Sequence, residues 1–212
     1  MEADIREVMR YLGAGKGDDS LFAAAQAIAC EIKEVPRYTY RVFHLKGLSL
    51  PELGLALTGN TASKMLDGCE KVVLLACTLG LEFDARLRAA QARDMSKAVI
   101  LDGCGSALVE QGCEEAEREI ALRFPGMYLT DRFSPGYGDL PLSLQPQILQ
   151  ALDAQRRLGI VVSPSLLMTP AKSVTAIIGL SSVPQMARIR GCEYCSMKET
   201  CALRKGGKHC GL

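Results

Sequence analysis

Hydrophobic side chains recur every three to four positions along several stretches of this chain, which is the spacing of one face of an α-helix. The longest stretch covers residues 96–124 and carries glutamates at 114, 115, 117 and 119, so we expect a long amphipathic helix with a solvated acidic face. Three glycines weaken that helix in isolation, and close packing against another element is the expected compensation. Shorter helices are predicted at 3–12, 18–33, 61–66, 82–92 and 147–158.

Other stretches have the patterns of β-strands. Residues 38–45 alternate between polar and apolar, 71–78 form a continuous apolar run, and 173–180 are rich in β-branched side chains. A shorter strand is predicted at 127–130, and two further apolar segments lie at 159–162 and 166–168. Because strands and helices do not alternate regularly, the order favours an α+β fold over a doubly wound parallel sheet.

Composition limits the classes of function. The chain has 212 residues, of which 48% are hydrophobic, and a formal net charge of +1. This near balance gives no reason to expect nucleic acid or a membrane surface as a partner. No apolar run reaches the roughly 18 residues of a membrane span, and the acidic N-terminus lacks the apolar segment of a signal peptide. We therefore expect a cytoplasmic protein with a body at 1–185 and a short tail at 186–212.

Nine cysteines are present, an odd number that argues against a disulfide framework in a chain without an export signal. Five of them stand singly within apolar patterns and are predicted to be small core residues. These are Cys30, Cys69, Cys77, Cys104 and Cys113.

The other four cysteines follow one another in the tail with the spacing C-x2-C-x5-C-x8-C. Four thiolates suit either tetrahedral zinc or a [4Fe-4S] cluster, and the basic residues around them would offset the charge of such a centre. The predicted ligands are Cys192, Cys195, Cys201 and Cys210.

The loop at 131–141 concentrates turn-forming residues around chemically useful side chains. Pro135 and Gly136 fit the middle of a type II turn, in which glycine supplies the positive φ. Arg132 can bind a carboxylate through two parallel hydrogen bonds. From the residues alone, a ligand-binding loop and a surface turn whose arginine pairs with a nearby acid remain equally open.

Two motifs resemble a known family. The Arg-x-Ser-Pro-Gly-Tyr element at 132–137 is similar to the S-adenosylmethionine-binding loop in the activation domain of cobalamin-dependent methionine synthase. Downstream, Met-x-Pro-x-x-Ser-Val at 168–174 is similar to a strand motif of that family, in the same order and at a matching spacing. The resemblance extends to about residue 182. It departs where Gly138-Asp139-Leu140-Pro141 replaces a Cys-Pro-x-His element, and where Ile177 and Ile178 replace aromatic residues.

The resemblance implies a mixed or antiparallel twisted sheet flanked by helices, and a domain that presents S-adenosylmethionine to cobalamin. Arg132 would hold the methionine carboxylate, the backbone of Ser134, Pro135 and Gly136 would line the ligand, and Tyr137 would pack beside it. Weaker roles are implied for Lys172 and Ser173. Because the chain carries no cobalamin-binding module, the cobalamin would be supplied by a separate corrinoid methyltransferase protein.

Three functional hypotheses follow. The first is an accessory factor that reactivates a corrinoid methyltransferase, with an iron–sulfur tail that relays an electron from a donor and lies near Arg132 and Tyr137. Corrinoid reactivation needs a low-potential electron, which favours the [4Fe-4S] cluster over zinc. The second is a non-catalytic module that docks on such a methyltransferase and has a structural zinc in its tail. The third is an iron–sulfur electron carrier that only shares the fold.

Overall fold

The computed structural model describes residues 2–14 and 18–185. Its strands are β1 (Arg37–His44), β2 (Ser49–Leu50), β3 (Leu55–Ala56), β4 (Lys71–Thr78), β5 (Tyr128–Leu129), β6 (Val161–Val162), β7 (Met168–Thr169) and β8 (Ser173–Ser181). Its helices are α1 (Ile5–Tyr11), α2 (Asp19–Cys30), α3 (Asn60–Met65), α4 (Gly80–Gln91), α5 (Met95–Arg123), α6 (Gln145–Ala151) and α7 (Ala154–Leu158). Single 3₁₀ turns lie at Pro51–Leu53 and Leu142–Leu144.

An antiparallel four-stranded sheet in the order β1-β4-β8-β5 is the centre of the fold. β4 and β8 are its inner strands and pair along their whole length, with Leu75 opposite Ala176. Both have almost continuously buried side chains, which explains why their sequences are apolar runs without alternation. The predicted α+β class with an antiparallel sheet flanked by helices is confirmed.

The long helix α5 covers one face of the sheet. Its second half packs Val109, Cys113, Ala116 and Ile120 on inward-facing side chains of β4 and β8. The predicted close packing is confirmed for two of its three glycines. A Cβ at Gly105 would lie 2.5 Å from the Phe83 ring, and one at Gly112 would lie 2.6 Å from Pro36 Cβ and 2.7 Å from Cys77 Sγ.

A second core lies on the opposite face. There α3, α6 and α7 pack against apolar side chains of the sheet that include Phe43, Leu74 and Ile177. The loop after β5 packs with these helices through Phe133. A third cluster joins α1, α2 and α4 to the first half of α5. The sheet is therefore sandwiched between two layers, and the loop after β5 belongs to the layer opposite α5.

Three expectations from the pattern are wrong. The single helix predicted at 147–158 is two helices, α6 and α7, separated at Asp153, whose backbone is left-handed with φ +53°. Cys30 is exposed and Cys69 is half-buried, so neither is a core residue of the kind predicted, whereas Cys77, Cys104 and Cys113 are buried. Cys30 ends α2, which stops three residues before the predicted end.

Of the helices that the structure describes, none combines the length and the hydropathy of a bilayer-spanning segment. The predicted metal ligands Cys192, Cys195, Cys201 and Cys210 lie outside the described residues, as does the expected position of the tail near Arg132 and Tyr137.

Candidate functional site

The loop at 131–141 contains the turn predicted from its sequence. Tyr137 N donates to Ser134 O at 3.0 Å, and Gly136 has φ +87°, as a type II turn requires at its third position. Gly136 N also donates to Leu140 O at 2.9 Å. Pro135 is buried beneath the turn, while Gly136 and Tyr137 are exposed at its tip. The backbone at the tip is therefore fixed and accessible.

Both ends of this loop are tied to the body. Phe133 exchanges two backbone hydrogen bonds with Ile177 of β8, at 3.0 and 2.8 Å, and its ring is buried in the core opposite α5. At the other end, Asp139 accepts hydrogen bonds from the backbone of Asn60 (2.6 Å) and Thr61 (2.8 Å) at the start of α3. Hydrogen bonds from Thr61 and from these amides lower the pKa of Asp139 to about 2.

The side chain of Arg132 lies on the face of the sheet that α5 covers, opposite the core that contains Phe133. It is mostly buried, with 21% of its surface exposed. Its Nη1 donates to Glu117 Oε1 at 2.5 Å, and its Nη2 donates to Glu110 Oε2. Burial opposes the positive charge, but the two carboxylates outweigh it and raise the pKa of Arg132. The guanidinium is thus a fixed cation within a cluster whose formal charge is −1.

Lys172 and Ser173 lie where β8 begins. Lys172 Nζ is 2.9 Å from both Ser106 Oγ and Asp102 Oδ1 of α5, and its side chain is 15% exposed. Ser173 Oγ bonds to Thr78 Oγ1 and to Pro170 O, both at 2.7 Å. Ser173 therefore closes the turn before β8, while Lys172 reaches across to α5.

The two predicted cations, Arg132 and Lys172, are joined by α5. Their four acceptors lie along one side of this helix, because positions spaced by three to four or by seven residues share a helix face. This polar row, which we call the α5 row, consists of Asp102, Ser106, Glu110 and Glu117. The structure thus places both resemblance motifs against one helix face, with Arg132 near its C-terminal end.

The prediction from sequence did not identify Glu110 or Glu117 as part of this site. Glu117 was assigned to a solvated face, and its side chain is in fact only 30% exposed beside Arg132. Their seven-residue separation on a predicted helix is a signal that could have suggested a shared partner. Which cation they share depends on the packing of the loop on α5, and the sequence does not show this packing.

The residues at the loop tip and the α5 row have the chemistry to hold a zwitterionic or cationic ligand. Exposed backbone beside Gly136 allows close approach, and the Nε–H of Arg132 has no hydrogen-bond partner among the described residues. The negative charge of the cluster opposes a ligand that is only anionic. An amino acid derivative with an additional positive charge fits this balance.

No family model matches the chain, and no curated protein matches it. Among solved structures, the chain is similar to the MetH reactivation domain, in a crystal structure of that domain bound to AdoHcy. The likeness has a TM-score of 0.56 at 17% sequence identity and covers 99% of this chain and 86% of that one. The fold is therefore that of a methionine synthase reactivation domain.

Proposed function

We propose that this chain is an accessory factor that binds S-adenosylmethionine at the loop tip and the α5 row and helps to reactivate a separate corrinoid methyltransferase. The observation that carries the proposal is the fixed turn at Ser134–Tyr137, which presents exposed backbone two residues after the buried Arg132 cation. The likeness of the fold to a reactivation domain supports it. When bound, S-adenosylmethionine supplies the methyl group, and the chain binds and orients it.

Within this proposal each predicted residue has a distinct task. Arg132 holds the ligand carboxylate through N–H groups that its pairs with Glu110 and Glu117 leave available. The backbone of Ser134, Pro135 and Gly136 lines the ligand, and Tyr137 packs beside it. Lys172 and Ser173 hold the start of β8 in place, so their contribution is positional.

We further propose that Cys192, Cys195, Cys201 and Cys210 hold a [4Fe-4S] cluster that relays an electron from a donor protein to the corrinoid, with structural zinc as the alternative. Four cysteine thiolates are the common ligand set of such clusters. Purification under anaerobic conditions, with iron, sulfide and zinc analysis, tests this. Two equivalents or fewer of iron, or stoichiometric zinc in a colourless protein, would contradict the cluster.

A second candidate function is a docking module that binds a corrinoid methyltransferase but no small ligand. The observation that favours it is the engagement of Arg132, because both of its terminal nitrogens are already paired with carboxylates. In that case the guanidinium only fastens the loop to α5.

Calorimetry of the full chain with S-adenosylmethionine separates the two candidates. We expect saturable binding that Arg132→Ala weakens at least tenfold, since a charge-assisted pair contributes more than about 1.4 kcal/mol. Arg123→Ala, at an exposed position in the last turn of α5, is the matched control and should bind as the wild type does. Absence of heat at millimolar ligand, with both variants folded, would favour the docking module.

A further inference from the structure

A groove of about 490 Å³ lies at the end of the sheet where β4 leads into α4. Its walls come from the connection between α2 and β1, from the turn at 79–82, and from the C-terminal end of α7. Apolar side chains form the smaller part of this surface, and they are Val35, Leu79, Leu81, Leu158 and Pro170. The volume lies within the range of small-molecule sites, and the mainly polar lining favours a ligand with a charged group.

Two basic side chains, Lys33 and Arg37, line this groove. Arg37 is held in place because its Nη2 donates to Leu158 O at 3.3 Å. None of the ion pairs between described residues includes Lys33 or Arg37. A guanidinium fixed by a carbonyl, without a counter-ion, retains donors for an anion.

The acids of the groove do not cancel this charge. Glu34 is already neutralised, since its Oε1 lies 2.9 Å from Arg86 Nε and its side chain is 8% exposed. Glu82 is the remaining acid of the lining, and it is exposed to water, as Lys33 and Arg37 are. With two cations against one unpaired carboxylate, the lining has a net positive charge that attracts anions.

The backbone adds donors on the same side. Helix α4 begins at Gly80 with φ +84°, and its N-cap residue, Leu79, has no side chain that can accept a capping hydrogen bond. A Cβ at Gly80 would lie 3.5 Å from Arg37 Nη2, so the missing side chain keeps the first turn open beside the guanidinium. Gly80 N itself donates to Thr78 Oγ1 at 3.1 Å, and the next N–H groups have no intrahelical acceptor. The positive end of the helix dipole reinforces the attraction.

We propose that this groove binds the phosphate ester of a small organic molecule. The phosphate lies between Lys33, Arg37 and the first turn of α4, and the organic part packs against Leu79, Leu158 and Pro170. A phosphate group suits this arrangement because several oxygens can accept from donors that approach from different sides. The groove borders β1, at the opposite edge of the sheet from β5 and the Arg132 loop, so the inference goes beyond the proposed function and is independent of it.

The proposal is tested by calorimetric titration of the full chain with each of three compounds: adenosine 5′-monophosphate, adenosine and inorganic phosphate. We expect the monophosphate to bind most tightly, inorganic phosphate more weakly, and adenosine not at all within the millimolar range. Affinity for the monophosphate should fall as salt is raised, because the attraction is screened. Equal binding of adenosine and its monophosphate would overturn the proposal, and so would equal binding of inorganic phosphate and the monophosphate, or no binding of either anion.

Variants locate the site. Arg37→Gln and Lys33→Gln should each weaken binding of the monophosphate, the former by about tenfold or more. Arg123→Gln removes an exposed cation elsewhere and should leave that binding unchanged. Wild-type affinity in Arg37→Gln would overturn the assignment of the groove. Arg37→Gln should bind S-adenosylmethionine with the affinity of the wild type. Failure of this inference appears in the binding of the monophosphate, whereas failure of the proposed function appears in the binding of S-adenosylmethionine.

Discussion

At the scale of single residues, Arg132 shows how far a motif can be interpreted before the fold is known. The sequence identified its position in a turn-rich loop and the carboxylate-binding chemistry of its side chain. The sequence did not identify the carboxylates with which Arg132 pairs in the fold, because Glu117 and Glu110 lie 15 and 22 residues earlier, on a different element. The alternative in which the arginine of the turn pairs with a nearby acid therefore agrees with its contacts in this structure, where it pairs with two acids and is mostly buried.

Asp139 gives a prediction about acid stability. Its folded pKa of about 2 is below the ordinary 3.8, so its contribution to stability is present above pH 3.8 and is lost as the pH falls towards 2. Asp139→Asn removes this titration. We expect the variant to be less stable than wild type at neutral pH, and the difference between them to shrink between pH 4 and 2.

Thermal denaturation between pH 2 and 7, monitored by circular dichroism, measures this difference. Glu2→Gln removes an exposed acid that makes no hydrogen bond or ion pair with the described residues, so it serves as the control and should follow the wild-type curve at every pH. If the difference between Asp139→Asn and wild type stays constant down to pH 2, the carboxylate does not cap α3 in the way described.

The cysteines of the body should differ in reactivity towards iodoacetamide. Cys30 is exposed and should be alkylated in the native protein. Burial raises the pKa of Cys104 to about 11, and a hydrogen bond with Cys77 together with burial raises the pKa of Cys113, so both thiols remain protonated and shielded. Peptide mapping by mass spectrometry reads each site separately. Alkylation of Cys113 as fast as of Cys30 would contradict its buried position.

At the scale of elements, the sequence predicted correctly those features that depend on a few neighbouring residues. The type II turn depends on Pro135 and Gly136 themselves, and α2 is capped by Asp18, whose side chain accepts a hydrogen bond from Leu21 N. The break between α6 and α7 was missed because Asp153 adopts a left-handed backbone that its short polar side chain tolerates but does not require. Whether the chain turns there depends on packing against the sheet.

Close packing of α5 on the sheet leads to a prediction at Gly112. Alanine favours an isolated helix by about 1 kcal/mol over glycine, but a Cβ here would lie within 2.7 Å of Pro36 and Cys77 Sγ. Overpacking of this kind costs about 1–3 kcal/mol. We therefore expect Gly112→Ala to lower the free energy of unfolding, as measured by urea denaturation.

Gly103, on the same helix, is the matched control. There a Cβ would meet Leu12 at 3.5 Å, an ordinary contact, so Gly103→Ala should be neutral or stabilising by up to about 1 kcal/mol. If both alanines stabilise the protein to the same degree, then α5 does not approach the sheet as closely at Gly112 as described.

At the scale of the whole molecule, the sequence predicted the class of the fold and its two inner strands but not their pairing. Apolar runs at 71–78 and 173–180 identify buried strands whatever their neighbours are. Their direct pairing joins residues about a hundred positions apart, as in Leu75 opposite Ala176, and no local pattern specifies that choice. The antiparallel arrangement was predicted from the family resemblance and not from the local pattern.

The boundary predicted at residue 185 can be tested by shortening the chain. All three apolar clusters of the described structure lie between Ala3 and Leu180, so a chain that ends at Gln185 retains every core contact described here. We expect its unfolding midpoint in calorimetry to stay within about 4 °C of the full chain, which corresponds to about 1 kcal/mol. A larger loss would show that the tail packs on the body and that the boundary is wrong.

The sheet order has a consequence for how the protein folds. Because β8 is an inner strand and one of the last described segments, β4 has only β1 as a neighbour until nearly the whole body has been synthesised. Closing a loop of about a hundred residues costs entropy before its contacts form, and sheets with such distant pairing fold slowly. During synthesis, one edge of β4 therefore stays unpaired while about a hundred further residues are added, and it is the surface on which a chaperone would act.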